Sequence, residues 1–216
     1  MEREGAAAPS DAELAARLRR RDPRAFDALY ARYNARIFSF LVRLSGRRDV
    51  AEDLFQDTWL AVARHAGRLA EDTDLAAWLF TIARNRYRSH RRSALLDLAR
   101  AALFSREPAP AAPEPEGAAD ARADVAALEA ALRELAAVHR EVLLLGAVEG
   151  LDSAQVALVL GIREDAARKR LSRARAELAA HLERRNAERP RRGSTTPISA
   201  ADATDAVDRH ARRGSR

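Results

Sequence analysis

The sequence predicts an all-α protein: two small helical domains joined by a flexible, Pro/Ala-rich acidic linker. Three observations predict it. Wherever apolar residues show a period, they recur at steps of three and four, the mark of a helix face. Ser or Asp start signals and Gly stops punctuate those stretches. Between residues 94 and 123 the run REPAPAAPEPEGAAD breaks the pattern and is too poor in apolar residues to bury a core of its own.

Composition narrows the function classes. The 216 residues carry a net charge of +6, with a pI near 10.7. A polyanion is therefore the expected partner, nucleic acid ahead of an anionic membrane. Basic residues are almost all Arg, Lys169 being the exception, and Ala is abundant, so part of the high pI reflects compositional bias. The absence of cysteine excludes a disulfide framework, a thiol nucleophile and a cysteine zinc site. The N-terminal MEREGAAAPSDAEL has no apolar signal core, and no stretch approaches the roughly 18 apolar residues of a membrane span, so a cytoplasmic protein without membrane insertion is expected.

Residues 1–9 read as disordered. Ser10 and Glu13 form a capping box that opens a short helix carrying Leu14 and Leu18, with a break at Arg21. Asp22 and Pro23 then make a cap-plus-first-turn signal, followed by Phe26, Leu29, Tyr30, Tyr33, Ile37, Leu41 and Leu44 and a stop at Gly46. This aromatic stripe could stack bases, but aromatics at helical spacing are more often core.

A third helix is expected to open at Asp49, with Glu52 completing a second capping box. Ala51, Leu54, Phe55, Thr58, Trp59 and Val62 share its inner side. On its other side Asp49, Glu52, Asp53, Gln56 and Asp57 fall at i, i+3, i+4, i+7 and i+8, which gathers four carboxylates on one face of a basic protein. Such a face is either simply solvated or a docking surface for a basic patch. The fourth helix starts near Thr73 or Asp74, turns Leu75, Trp78, Leu79 and Ile82 inward, and then changes to ARNRYRSHRR. There Arg84, Arg88, Arg91 and Arg92 share a face, and with Asn85 and Tyr87 they suit a nucleic-acid surface, since cations hold phosphates while amide and aromatic groups read or stack on bases. A solubilising basic helix end is the other reading.

Beyond the linker, Val125, Leu128, Leu132, Leu135, Val138, Val142 and Leu145 form an apolar stripe over one or two helices. EGLDSAQVALVLGIREDAARKRLSRAR follows: a helix capped by Asp152 and Gln155, a turn at Gly161, and an Arg-rich helix opening near Glu164. That is the helix-turn-helix pattern, whose second helix is sized for the DNA major groove; an ordinary helical hairpin with a solvated Arg face is the alternative. After Leu182 the periodicity stops, and residues 185–216 read as a disordered basic tail. The five histidines are scattered without metal-ligand spacing, and no Gly-rich phosphate loop occurs, so no catalytic residue, metal or cofactor is assigned.

Taken in order, DVAEDLFQDTWLAV, DLAAWLFTIARNRYRSHRR and REVLLLGAVEGLDSAQVALVLGIREDAARKRLSRAR resemble the extracytoplasmic-function (ECF) group of the sigma-70 family of bacterial transcription initiation factors. The resemblance implies a sigma-2-like domain at 10–93, which docks core RNA polymerase and recognises and melts the minus-10 element. It implies a sigma-4-like helix-turn-helix domain at 124–184 for the minus-35 element. Core docking would fall to Asp49, Glu52, Asp53, Gln56 and Asp57. Minus-10 contacts and melting would fall to Asp72, Thr73, Arg84, Asn85, Arg88, Arg91 and Arg92, and minus-35 contacts to Arg163, Arg168, Lys169, Ser172 and Arg173. The implied partners are core RNA polymerase and promoter DNA, with an anti-sigma factor as a further candidate. The chain departs from the usual Pro-Val-Gly-Thr-Val-Lys-Ser-Arg at Arg163–Arg170, and Ser89 replaces the usual Asp. Two other classes fit parts of the pattern: a helix-turn-helix regulator that does not dock polymerase, and a helical adaptor that sequesters a regulatory protein.

Overall fold

Local start and stop signals place the helices. Our computed structural model describes residues 9–104 and 121–188, with side chains at 9–96, 126–185 and 187. Its described residues are helical or turn, with no strand among them. The helices are α1 (Asp11–Arg19), α2 (Pro23–Ser45), α3 (Arg48–His65), α4 (Leu75–Phe104), α5 (Ala121–Glu134), α6 (Ala137–Leu143), α7 (Ser153–Leu160) and α8 (Glu164–Glu188). The chain divides into two compact units, one formed by residues up to Arg86 together with Leu151–Ala167, the other by Tyr87–Gly150 together with the chain from Arg168 on.

In the first unit, α1 opens with the expected capping box: the Ser10 hydroxyl accepts from Glu13 N–H, while the Glu13 carboxylate accepts from Ser10 N–H at 2.7 Å. Asp22 caps α2 by accepting from Arg24 N–H at 2.9 Å, and Gly46 ends it at φ 71°. Leu14 and Leu18 of α1, Leu29, Ile37, Phe40, Leu41 and Leu44 of α2, Leu54 and Val62 of α3, and Leu75, Leu79 and Phe80 of α4 are buried. Phe40 and Phe80 meet edge to face at 5.3 Å, a favoured aromatic geometry. Asp11 pins α1 to α2 through Tyr33 and Arg32, and burial pushes the Tyr33 hydroxyl above its ordinary pKa. The α2 stripe is core apart from its edge, where Phe26 is half-buried and Tyr30 is 40% exposed.

One start signal fails. Helix α3 begins at Arg48, and its N-cap, Arg47, makes no side-chain capping bond. Asp49 does not cap because the Arg47 guanidinium holds its carboxylate, Nε to Oδ1 at 3.2 Å, and Glu52 is drawn to Arg48 at 3.0 Å instead of reaching back.

In the second unit, α5 lacks a Gly stop, and Arg140 takes that role, donating to the carbonyls of Leu132 at 2.8 Å, of Leu135 at 3.2 Å and of Arg133. Those are the carbonyls that a helix end leaves unpaired. His139 meets Glu177, while Glu134 accepts from His181 and Arg185, each at 2.7 Å, so α8 is tied to both α5 and α6. Leu132, Leu135, Val142 and Leu145 are buried as expected, but Val138 is 41% exposed. The stripe does not run through it because α5 ends at Glu134 and α6 restarts at Ala137 with a new phase. Part of the expected linker, 94–104, continues α4 as helix; 105–120 lies outside the described residues, as do 1–8 and 189–216 of the expected disordered ends.

Candidate nucleic-acid and polymerase interfaces

The helix-turn-helix is built as its sequence directs. Asp152 accepts from Gln155 N–H at 2.8 Å, and the Gln155 side chain returns the bond to Asp152 N–H at 3.0 Å. At the other end of α7, Gly161 lies at φ 65°, Ile162 N–H reaches the Ala157 carbonyl at 3.0 Å, and Gly161 N–H reaches that of Leu158 at 3.2 Å. These two bonds make a Schellman stop, which requires a left-handed residue and so favours Gly. Ser153 donates to Glu164 at 2.6 Å, fixing the start of α7 to the start of α8.

Ala167, Ala174 and Leu178 of α8 turn inward, leaving Arg168, Lys169, Ser172 and Arg173 exposed along one side. Arg163 is exposed ahead of the helix and bonded to Asp165, Nε to Oδ1 at 3.2 Å. That pair offsets the carboxylate which would otherwise repel phosphate at the helix mouth, so the unusual REDAARKR sequence keeps a cationic entrance.

Asp49, Glu52, Asp53, Gln56 and Asp57 are all exposed on α3. The hydrogen bond from Arg47 holds the Asp49 carboxyl below its ordinary range.

Asp74 starts α4, its carboxylate accepting from Ala77 N–H at 2.8 Å and also from Gln155 Nε2 at 2.7 Å. Asp72 is exposed and Thr73 half-buried in the loop before it. Asn85, Arg88, Arg91 and Arg92 are exposed, whereas the expected stripe needs two corrections. Arg84 is only 8% exposed and its guanidinium donates to the Val159 carbonyl at 3.3 Å, so it does not share the free face. Tyr87 is 6% exposed, with the Arg91 guanidinium 5.9 Å from its ring, and is a packed residue rather than a stacking platform. Sequence spacing missed both because helix periodicity assigns a side and says nothing of what covers it. Trp78 is half-buried. Among the described residues no helix is long and apolar enough to cross a membrane.

Comparison with known proteins matches both halves. The Sigma-70 region 2 family covers residues 29–95, and Sigma-70 region 4 covers 126–178. The RNA polymerase sigma factor CarQ of Myxococcus xanthus is 36% identical over 69% of this chain and 84% of its own. The ECF RNA polymerase sigma factor SigL of Mycobacterium tuberculosis is 35% identical over 67% of this chain and 81% of its own. Among solved structures, CnrH in complex with the cytosolic domain of CnrY is similar with a TM-score of 0.60 and 29% identity, covering 81% of this chain and 97% of that one. The sigma factor RpoE of Bartonella quintana, in complex with the anti-sigma factor NepR, gives 0.61 and 28%, covering 73% and 96%. A helix-turn-helix regulator without polymerase docking does not account for the region 2 match. The chain belongs to the ECF group of the sigma-70 family of RNA polymerase sigma factors.

Proposed function

We propose that this sigma factor divides its work among three exposed surfaces. The face of α3 carrying Asp49, Glu52, Asp53, Gln56 and Asp57 docks a basic helical element of core polymerase. The start of α8, with Arg163, Arg168, Lys169, Ser172 and Arg173, reads the minus-35 duplex. The α4 surface with Asn85, Arg88, Arg91 and Arg92, together with Asp72 and Thr73 of the preceding loop, holds the separated minus-10 strand. In domain terms, 10–93 carries docking and melting and 124–184 carries minus-35 recognition. Buried Arg84 is left out of the melting set.

The observation that carries this reading is the separation of charge. An acidic outer face on α3 suits a protein partner and repels DNA, while the cationic faces of α4 and α8 suit phosphates. The protein acts by binding rather than catalysis, and works in the cytoplasm. Two structural relatives were solved bound to CnrY and to the anti-sigma factor NepR, which supports an anti-sigma partner for this chain as well. Asp53→Arg combined with Gln56→Ala tests the docking surface. Exposed substitutions seldom cost more than about 0.5 kcal/mol of stability, so the variant should fold normally and bind core polymerase more weakly. Unchanged affinity in a binding titration removes this face from the account.

A further inference from the structure

We propose that the docking face of α3 is centred on Asp53, Gln56, Asp57 and Leu60, and that its occupant is a basic amphipathic helical element of core RNA polymerase presenting an apolar side chain to Leu60 between cations that meet Asp53 and Asp57. This rests on the reading of α3 as the docking helix and adds what the partner must present.

The acidic residues of α3 are not equivalent. Arg47 and Arg48 pair with Asp49 and Glu52 from within the same chain. Asp53 and Asp57 have no ion pair among the described residues, so the negative potential open to a partner lies a turn further along the helix. Leu60 stands in the same place. At about 100° per residue, it falls roughly 20° from Asp53, 40° from Gln56 and 60° from Asp57 around the axis. It is 53% exposed, although the inward stripe of α3 is already complete with Ala51, Leu54, Thr58, Ala61 and Val62. A leucine on the solvent side contributes nothing to that stripe.

The support behind this face is rigid. Trp59 meets Tyr30 at 4.8 Å and Phe26 at 5.9 Å, and Phe55 meets Phe38 at 5.6 Å, which fixes α3 against α2. A face held in this way is presented without an ordering cost on binding. Charge complementarity selects the occupant. DNA phosphates and anionic lipid would be repelled by Asp53 and Asp57, and a symmetric contact with a second copy of this chain would set like charges against each other. A basic helix with an apolar residue at its centre meets both features. Exposed charges would govern encounter, and the desolvated apolar contact would govern residence.

Association of the full-length chain with core polymerase, measured at several salt concentrations, tests this. Leu60→Ala should raise Kd about tenfold, mainly by faster dissociation, with an unchanged salt slope. Asp53→Asn with Asp57→Asn should slow association and flatten its salt dependence. Asp49→Asn with Glu52→Gln should change Kd less than about threefold, because those carboxylates are already paired. Circular dichroism should show Leu60→Ala folded, since the side chain is half exposed. The proposal is overturned if Leu60→Ala binds like the parent, if the Asp49/Glu52 pair matters as much as Asp53/Asp57, or if the parent chain self-associates through Leu60. If the parent chain never binds core polymerase, the docking reading itself fails and takes this inference with it.

Discussion

Replacing Gly161 by Ala provides a test of sign as well as size. Gly161 ends α7 in the left-handed region at φ 65°, and a Cβ added there meets nothing within 4 Å. Steric clash is therefore absent, and only backbone strain remains. For an L-residue the left-handed conformation costs roughly 1–2 kcal/mol. Against this, Gly→Ala reduces the freedom of the unfolded chain and recovers about 0.4–1 kcal/mol. The net expectation is a destabilisation of about 1 kcal/mol in urea unfolding followed by circular dichroism, with little change in the urea slope. Gly161→Asn should cost about half as much, because Asn enters the left-handed region more readily. Gly150, at φ 70° and equally open, should repeat the pattern. If Gly161→Ala proves as stable as the parent or more so, the turn is not left-handed and the Schellman stop between α7 and α8 is wrongly described.

Other expectations follow from single contacts. Asp152→Ala removes the acceptor of the α7 capping box and should cost about 1 kcal/mol, read by the same unfolding assay. Glu134 is held below its ordinary pKa of 4.5, chiefly by the hydrogen bond from His181, with Arg185 adding to it. The stability it contributes is present above that ordinary value and is lost as pH falls below it, so the difference in melting temperature between the parent and Glu134→Gln should be small, present at pH 7 and absent near pH 3. Arg168→Ala should relax preference at one base pair of the minus-35 duplex by roughly 1–3 kcal/mol. Arg173→Ala should weaken all sequences alike and flatten the salt dependence by about one counterion; gel-shift titrations over a substitution library separate the two outcomes.

Much of this architecture could be read from local chemistry. Ser10 with Glu13, Asp22 with Pro23, and Asp152 with Gln155 each combine two signals within a few residues, and each cap forms. Asp49 with Glu52 carried the same pattern and failed, because Arg47 and Arg48 compete for the two carboxylates. Capping rules count the acceptor and overlook a neighbouring guanidinium that binds it more strongly. The exposed faces of α3 and α8 were legible because helical periodicity places every member and nothing further decides their exposure. Arg84 and Tyr87 were not, since their burial depends on what the fold brings against them. Val138 was misplaced for a related reason: a two-residue interruption at Leu135 and Ala136 resets the phase of the stripe, and neither residue is a Gly or Pro that would announce a break. Arg140, which closes α5, was invisible as a cap because it lies several residues beyond the carbonyls it satisfies.

Strand opening separates a sigma factor from a protein that merely binds duplex DNA. Core polymerase with this chain would be given a promoter selected by binding from a random library, carrying a fluorescent base analogue in its minus-10 element. The account predicts a rise in fluorescence with the parent chain, and a smaller rise with Asn85→Ala or Arg88→Ala while duplex binding is retained, because these exposed residues of α4 hold the separated strand. A holoenzyme that binds its selected promoters and never produces the opening signal on any of them would contradict the account.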